Sequence, residues 1–134
     1  MKMETRINYH HTDAIGIVYH ASYLNFLEEA RTEYLESKGI SLEKMHAKGK
    51  FLVVNELKGS YKNPARFGEL IVCESSIDRM TSAQIFFSQK IYNKQNNQLL
   101  IDAQVGVVLV NEILSPILIS EYFAPLLYEN AELI

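Results

Sequence analysis

Only one of the 134 residues is a cysteine, Cys73, so the chain forms neither an internal disulfide nor a multi-cysteine metal cluster. Three prolines and six glycines are too few for a fibrous or low-complexity protein. No apolar run approaches the ~20 residues of a membrane-spanning helix. The opening MKMETRINYHH carries charges where a secretory leader would have an apolar core. A basic surplus is missing too. Thirteen Lys and Arg against sixteen Asp and Glu give a net charge of −3, which argues against a dedicated nucleic-acid binder. The expectation from these absences is a soluble, cytoplasmic protein, since a lone thiol suits a reducing compartment.

What is present is ordinary globular material, 48% hydrophobic and 22% charged, in one domain spanning residues 1–134. Residues 3–10 read as a short extended segment, with Ile7 and Tyr9 on one face and Arg6 and Asn8 on the other. The stretch HTDAIGIV, with Asp13 and Gly16, reads as a loop. From His20 to Lys38 the apolar residues Tyr23, Phe26, Leu27, Ala30, Tyr34 and Leu35 fall at three- and four-residue steps, the stripe of an amphipathic helix. Gly39 stands where a left-handed cap would end it. Such a helix is roughly 28 Å long, enough to cross a small domain.

After a short helical or irregular piece over 41–49, four β-like runs follow: Phe51–Tyr61, Leu70–Ile77, Ala83–Tyr92 and Leu99–Val110. Turn-rich pieces separate them (KNPARFG, DRMTS and NKQNNQ). Ile85, Phe87 and Ile91 alternate with polar residues, although Phe86 breaks the pattern. Ile101, Ala103, Val105, Val107 and Leu109 share one face of the last run. The tail from Ile119 to Leu127 reads as a short final helix. One early strand, one long helix and four successive strands predict an α+β domain with an antiparallel sheet of about five strands. A single helix cannot cover both faces of such a sheet, so a homo-oligomer is expected.

The segment Thr12-Asp13-Ala14-Ile15-Gly16-Ile17-Val18-Tyr19-His20-Ala21-Ser22-Tyr23-Leu24 resembles the signature of the 4-hydroxybenzoyl-CoA thioesterase family, especially its YbgC-like acyl-CoA thioesterase branch. Further matches fall at Glu28, at Ala30-Arg31-Thr32-Glu33, at Phe51-Leu52-Val53 and at Pro64-Ala65-Arg66. The resemblance implies a hot-dog fold, in which the sheet wraps around the long central helix. It also implies dimers or homotetramers with acyl-CoA sites between subunits. The implied reaction is hydrolysis of an acyl-CoA to the free acid and coenzyme A, with no metal or organic cofactor. In two places the chain departs from that branch: His10-His11 replaces an acidic pair, and Ile15 replaces the first glycine of a Gly-Gly pair.

The chemistry of the loop agrees. Thioester hydrolysis needs a base or nucleophile near the carbonyl carbon and donors for the developing oxyanion. Asp13 is the candidate carboxylate, either activating water or attacking directly. The N–H groups where the helix starts, near His20, suit the carbonyl oxygen. Gly16 lets the backbone approach a ligand, and Tyr19 and His20 complete the substrate-binding candidates. Glu28 and Glu33 read as the solvated face of the helix. Lys62 and Arg66 are the candidates for the phosphates of coenzyme A. His10 and His11 lack a ligand-spaced partner, and adjacent strand residues would face opposite ways, so no metal site is expected. Cys73 reads as a buried, inert thiol. A non-catalytic acyl-binding scaffold is the alternative, whereas a hot-dog dehydratase is disfavoured because the chain has no Pro-Gly dipeptide.

Overall fold

The computed structural model describes residues 1–119 and Phe123, so most of the expected final helix lies outside the described residues. The elements are β1 (Lys2–Arg6), α1 (Ser22–Ser37), α2 (Leu42–Ala47), β2 (Phe51–Tyr61), β3 (Leu70–Met80), β4 (Gln84–Asn93) and β5 (Leu99–Val110). The five strands form one sheet in the order β1-β3-β4-β5-β2, with every neighbouring pair antiparallel. The α+β expectation holds.

All six residues of the helical stripe are buried in α1. Burying a large apolar side chain contributes about 1.5–3 kcal/mol, so this stripe dominates the attachment of the helix to the sheet. Gly39 ends α1 at φ +82, with its N–H donating to the Glu36 carbonyl and that of Ile40 to the Leu35 carbonyl. That pair of bonds is a Schellman cap, and Leu35 and Ile40 seal it inside one apolar cluster. The helix starts two residues later than expected, because Ser22 donates back to the Tyr19 carbonyl and leaves His20 in a turn.

The first segment differs more. β1 stops at Arg6, and Tyr9–His11 form a single 3-10 turn. The cause is local: the Asn8 N–H donates to His11 Nδ1 and the His11 N–H to the Asn8 carbonyl. Tyr9 is therefore 78% exposed instead of sharing the buried face of Ile7. The His10 and His11 rings lie 4.0 Å apart, not on opposite faces as a strand would place them.

β3 also runs three residues past its expected end, through a bulge between Ile77 and Arg79. The Arg79 guanidinium lies 3.8 Å from the centre of the Phe86 ring. Phe86 breaks the alternation of β4 because it packs on the opposite face from Ile85 and Phe87, across from Gly106. A Cβ on Gly106 would stand 3.2 Å from that ring.

Two polar residues sit in the helix-facing row of β4, Gln89 at its centre and Asn93 at its end. Gln89 is fully buried, donates to the Leu27 carbonyl and to Ser75 Oγ, and accepts from Arg31 at 3.1 Å. A buried carboxamide is tolerated only when its partners are met, and here it pins the middle of α1 to the centre of the sheet. Replacing it as Gln89→Leu leaves Ser75 and the half-buried Arg31 without that partner. The expected cost is about 1–3 kcal/mol in denaturant unfolding, and an unchanged midpoint would refute the pin.

Candidate active site

The expected loop is a small hairpin. The Tyr19 N–H donates to the His11 carbonyl at 2.8 Å, and the Asp13 N–H to the Ile17 carbonyl at 2.9 Å. At its tip the Gly16 N–H donates to the Asp13 carbonyl, and the Ile15 N–H to Asp13 Oδ1 at 2.9 Å. Asp13 thus opens an Asx turn with one carboxylate oxygen engaged by the backbone. Gly16 has φ +82, a conformation that a side chain would strain. The connection between β2 and β3 clamps this hairpin: the Val18 N–H donates to the Ala65 carbonyl, and Ile17 pairs with Arg66.

His20 follows the hairpin at the entrance to α1. Its carbonyl accepts from the Tyr61 hydroxyl at 3.1 Å, and its ring lies 4.4 Å from that of Tyr19. No acceptor for the N–H groups of His20 and Ala21 occurs among the described residues. These donors and the helix dipole place a partial positive charge beside the loop.

Ile17, His20, Tyr23, Tyr61, Lys62 and Asn63 line a cavity of about 300 Å³. The structure therefore brings His20 and Lys62 together. Asp13, Gly16 and Tyr19 belong to the adjoining hairpin and do not line that cavity. Arg66 is joined to the hairpin by its backbone, with its side chain exposed. Glu33 is exposed on α1, as is Glu28, which borders a second cavity with Arg31 and Thr32. Tyr61 and the Arg31–Gln89 pair were not among the expected site residues. The sequence signal for Tyr61 was slight, an aromatic at the end of a strand directly before Lys62-Asn63-Pro64.

Burial raises the Tyr23 hydroxyl above its ordinary value, helped by Tyr61 and Glu69 and opposed by a hydrogen bond with the Ala65 backbone. Burial also pushes the Cys73 thiol up to about 11. His11 is lowered, by burial first and by His10 second. Among the described residues no three His, Cys, Asp or Glu side chains are grouped as a metal would require.

This architecture, a five-stranded antiparallel sheet around one long helix, is that of the hot-dog proteins. The structure resembles DHNA-CoA thioesterase from Staphylococcus aureus with a TM-score of 0.87 at 24% identity, covering 96% of this chain and 85% of that one. The model of the thioesterase superfamily matches residues 15–100, and the chain belongs to that superfamily. It is 38% identical to the acyl-CoA thioester hydrolase YbgC of Escherichia coli O6:H1 over 108 residues, 81% of this chain and 80% of that protein. Acyl-CoA thioesterase YbgC of Haemophilus influenzae is 35% identical over 107 residues, 79% of this chain and 77% of that protein. The expected family and fold are thereby confirmed.

Two measurements check the local electrostatics. At about pH 8 roughly one Cys73 in a thousand is a thiolate, so a thiol reagent should label the native chain far more slowly than the unfolded one. Equal rates would contradict the burial. For His11 the folded pKa lies below the unfolded value of 6.5, so the unfolded chain takes up the proton first. The stability tied to this residue is whole above that value and is lost as pH falls through it. His11→Gln should therefore lose less thermal stability than the wild type between about pH 8 and pH 5.

Proposed function

We propose that the chain hydrolyses an acyl-CoA thioester to the free acid and coenzyme A, with Asp13 as the reacting carboxylate. The observation that carries this reading is the position of Asp13. Its carboxylate is oriented by a backbone N–H in a hairpin that leads directly into the unpaired N–H groups at the start of α1. A thioester carbonyl between the two would meet a carboxylate on one side and donors for its oxygen on the other. In one route Asp13 takes a proton from a water as that water adds to the carbonyl carbon, and the proton passes to the thiolate when the carbon–sulfur bond breaks. In the other the carboxylate itself adds, expels the thiolate and leaves a mixed anhydride. Water hydrolyses this to the free acid and the Asp13 carboxylate, and the proton released goes to coenzyme A. Lys62, which lines the cavity with His20, is the residue assigned here to the phosphates of coenzyme A, with Arg66 next along the same connection.

The named relatives act on acyl-CoA thioesters, which supports this substrate class. A homo-oligomer, a dimer or a tetramer of such dimers, fits the long outer edge of β2, an eleven-residue strand of which ten residues pair with β5 and which, among the described residues, has no strand on its other side. An unprotected edge of that length is a template for a second copy. A cytoplasmic location fits the lone buried thiol.

The test is release of free thiol from a panel of acyl-CoAs by wild type and by Asp13→Asn. A positioned acid–base group contributes ~10²–10⁴-fold, and a loss of that size is expected in kcat. If no acyl-CoA is hydrolysed faster by wild type than by the variant, the assignment of Asp13 fails. Single turnover in ¹⁸O-water tests the nucleophilic role: label in the Asp13 carboxylate requires a mixed anhydride opened at the aspartyl carbon, and a general base never acquires it.

A further inference from the structure

Two histidines, His10 and His11, stand at the foot of the hairpin, and the chemistry proposed above uses neither. The Asn8 N–H donates to His11 Nδ1 at 2.8 Å. An imidazole nitrogen accepts only when it carries no proton, so the ring in this arrangement is neutral and holds its one proton on Nε2. The His11 main chain works on both sides of that bond. Its N–H donates to the Asn8 carbonyl at 3.0 Å, and its carbonyl accepts from the Tyr19 N–H at 2.8 Å, the bond that closes the hairpin around Asp13. Thr12, the next residue, is tied to the same turn through the Tyr9 carbonyl, which accepts from both its N–H and its hydroxyl. His11 is therefore the joint between the 3-10 turn and the hairpin.

Protonation would undo this joint. The second proton goes to Nδ1, two N–H groups then face each other, and an attraction becomes a repulsion. The surroundings offer the charged ring no compensation. From α1 the Phe26 ring lies 4.6 Å away, centre to centre, and brings no acceptor. From the turn itself the His10 ring lies 4.0 Å away and is the titratable group that acts on His11. Asp13, the nearest carboxylate along the chain, has Oδ1 engaged by the Ile15 N–H. Burial first and His10 second hold His11 below its ordinary value, so the joint is intact at neutral pH and opens as the medium becomes acid.

A glutamate above about pH 4.3, or a glutamine at any pH, closes the same bond from the third position of a helical turn. Histidine closes it only while neutral. His10-His11 is also where the chain departs from the acidic pair of the signature it resembles. Resting on the thioesterase reading above, we propose that His11 is a positioning residue for Asp13: its neutral ring locks the turn that closes the hairpin, and its protonation releases that turn, so hydrolysis falls in acid.

The experiment compares wild type, His11→Gln, His11→Ala and His10→Gln on a panel of acyl-CoAs between about pH 5 and pH 8. The wild-type kcat should fall about five- to tenfold towards pH 5, with KM changed less. His11→Gln keeps an acceptor and cannot take the proton, so its fall should stay under about twofold. His11→Ala loses the acceptor, and its kcat at pH 8 should already be as low as that of the wild type at pH 5. His10→Gln should keep the acid fall and move its midpoint to higher pH, because a neighbour that lowers His11 is gone. An acid fall as large in His11→Gln as in the wild type, or one abolished in His10→Gln instead, would overturn the proposal. Amide exchange followed by NMR reads the same joint without turnover. Protection of the Tyr19 N–H should drop about tenfold or more as His11 titrates, while the amides shared by β4 and β5 keep theirs. Equal protection of Tyr19 at both ends of the range would overturn the proposal whatever the kinetics. Loss of protection at Tyr19 with no acyl-CoA hydrolysed at any pH would sink the thioesterase reading and leave the His11 lock standing.

Discussion

Midway along α1 the Leu27 carbonyl accepts from Gln89, and on either side of that bond six apolar side chains are buried against the sheet. The two interactions do different work. Apolar burial supplies most of the attachment energy but is non-directional and would tolerate sliding of the helix. The Gln89 carboxamide is directional: it reaches Leu27, Ser75 and Arg31 together only at one position of α1. Every later feature of the molecule inherits that position. It sets where the N-terminus of the helix emerges.

At that N-terminus the chain makes its chemically useful arrangement from backbone groups. The hairpin of residues 11–19 is closed by its own hydrogen bonds and clamped by the connection between β2 and β3, which fixes Asp13 independently of any bound ligand. Pre-organisation of this kind matters because donors that need not reorganise stabilise developing charge more effectively than flexible ones. Tyr61 completes the arrangement by tying the end of β2 to the carbonyl of His20. One interaction thus links the edge strand, the helix start and the cavity.

The sequence carried the regular parts of this fold because their causes are local. The 3.6-residue stripe, Gly39, and the bounds of the second and fifth strands depend on periodicity and turn chemistry within a few residues of each element. The early segment was misread because its conformation turns on one pair, Asn8 with the His11 ring, which no periodicity reveals. The extension of β3 depends on Arg79 meeting Phe86 across the sheet, and the burial of Gln89 on partners 14 to 62 residues away. For the site, a loop carrying Asp13 and Gly16 ahead of the helix was legible in the motif, whereas its closure as a hairpin rests on backbone bonds that the motif does not reveal. The arrival of Tyr61 beside His20, 41 residues distant, was not legible, nor was the exposure of Val54, Leu57 and Tyr61 along β2.

The central claim is that the seated helix and the clamped hairpin converge on one thioester carbonyl. The most direct measurement is a crystal structure of the protein with a coenzyme A analogue whose thioester sulfur is replaced by methylene, so that the carbonyl is kept and cannot be hydrolysed. The account predicts the carbonyl oxygen about 3 Å from the N–H of His20 or Ala21, with the Asp13 carboxylate beside the carbonyl carbon. A carbonyl bound away from the start of α1, or with Asp13 turned from it, would contradict the account.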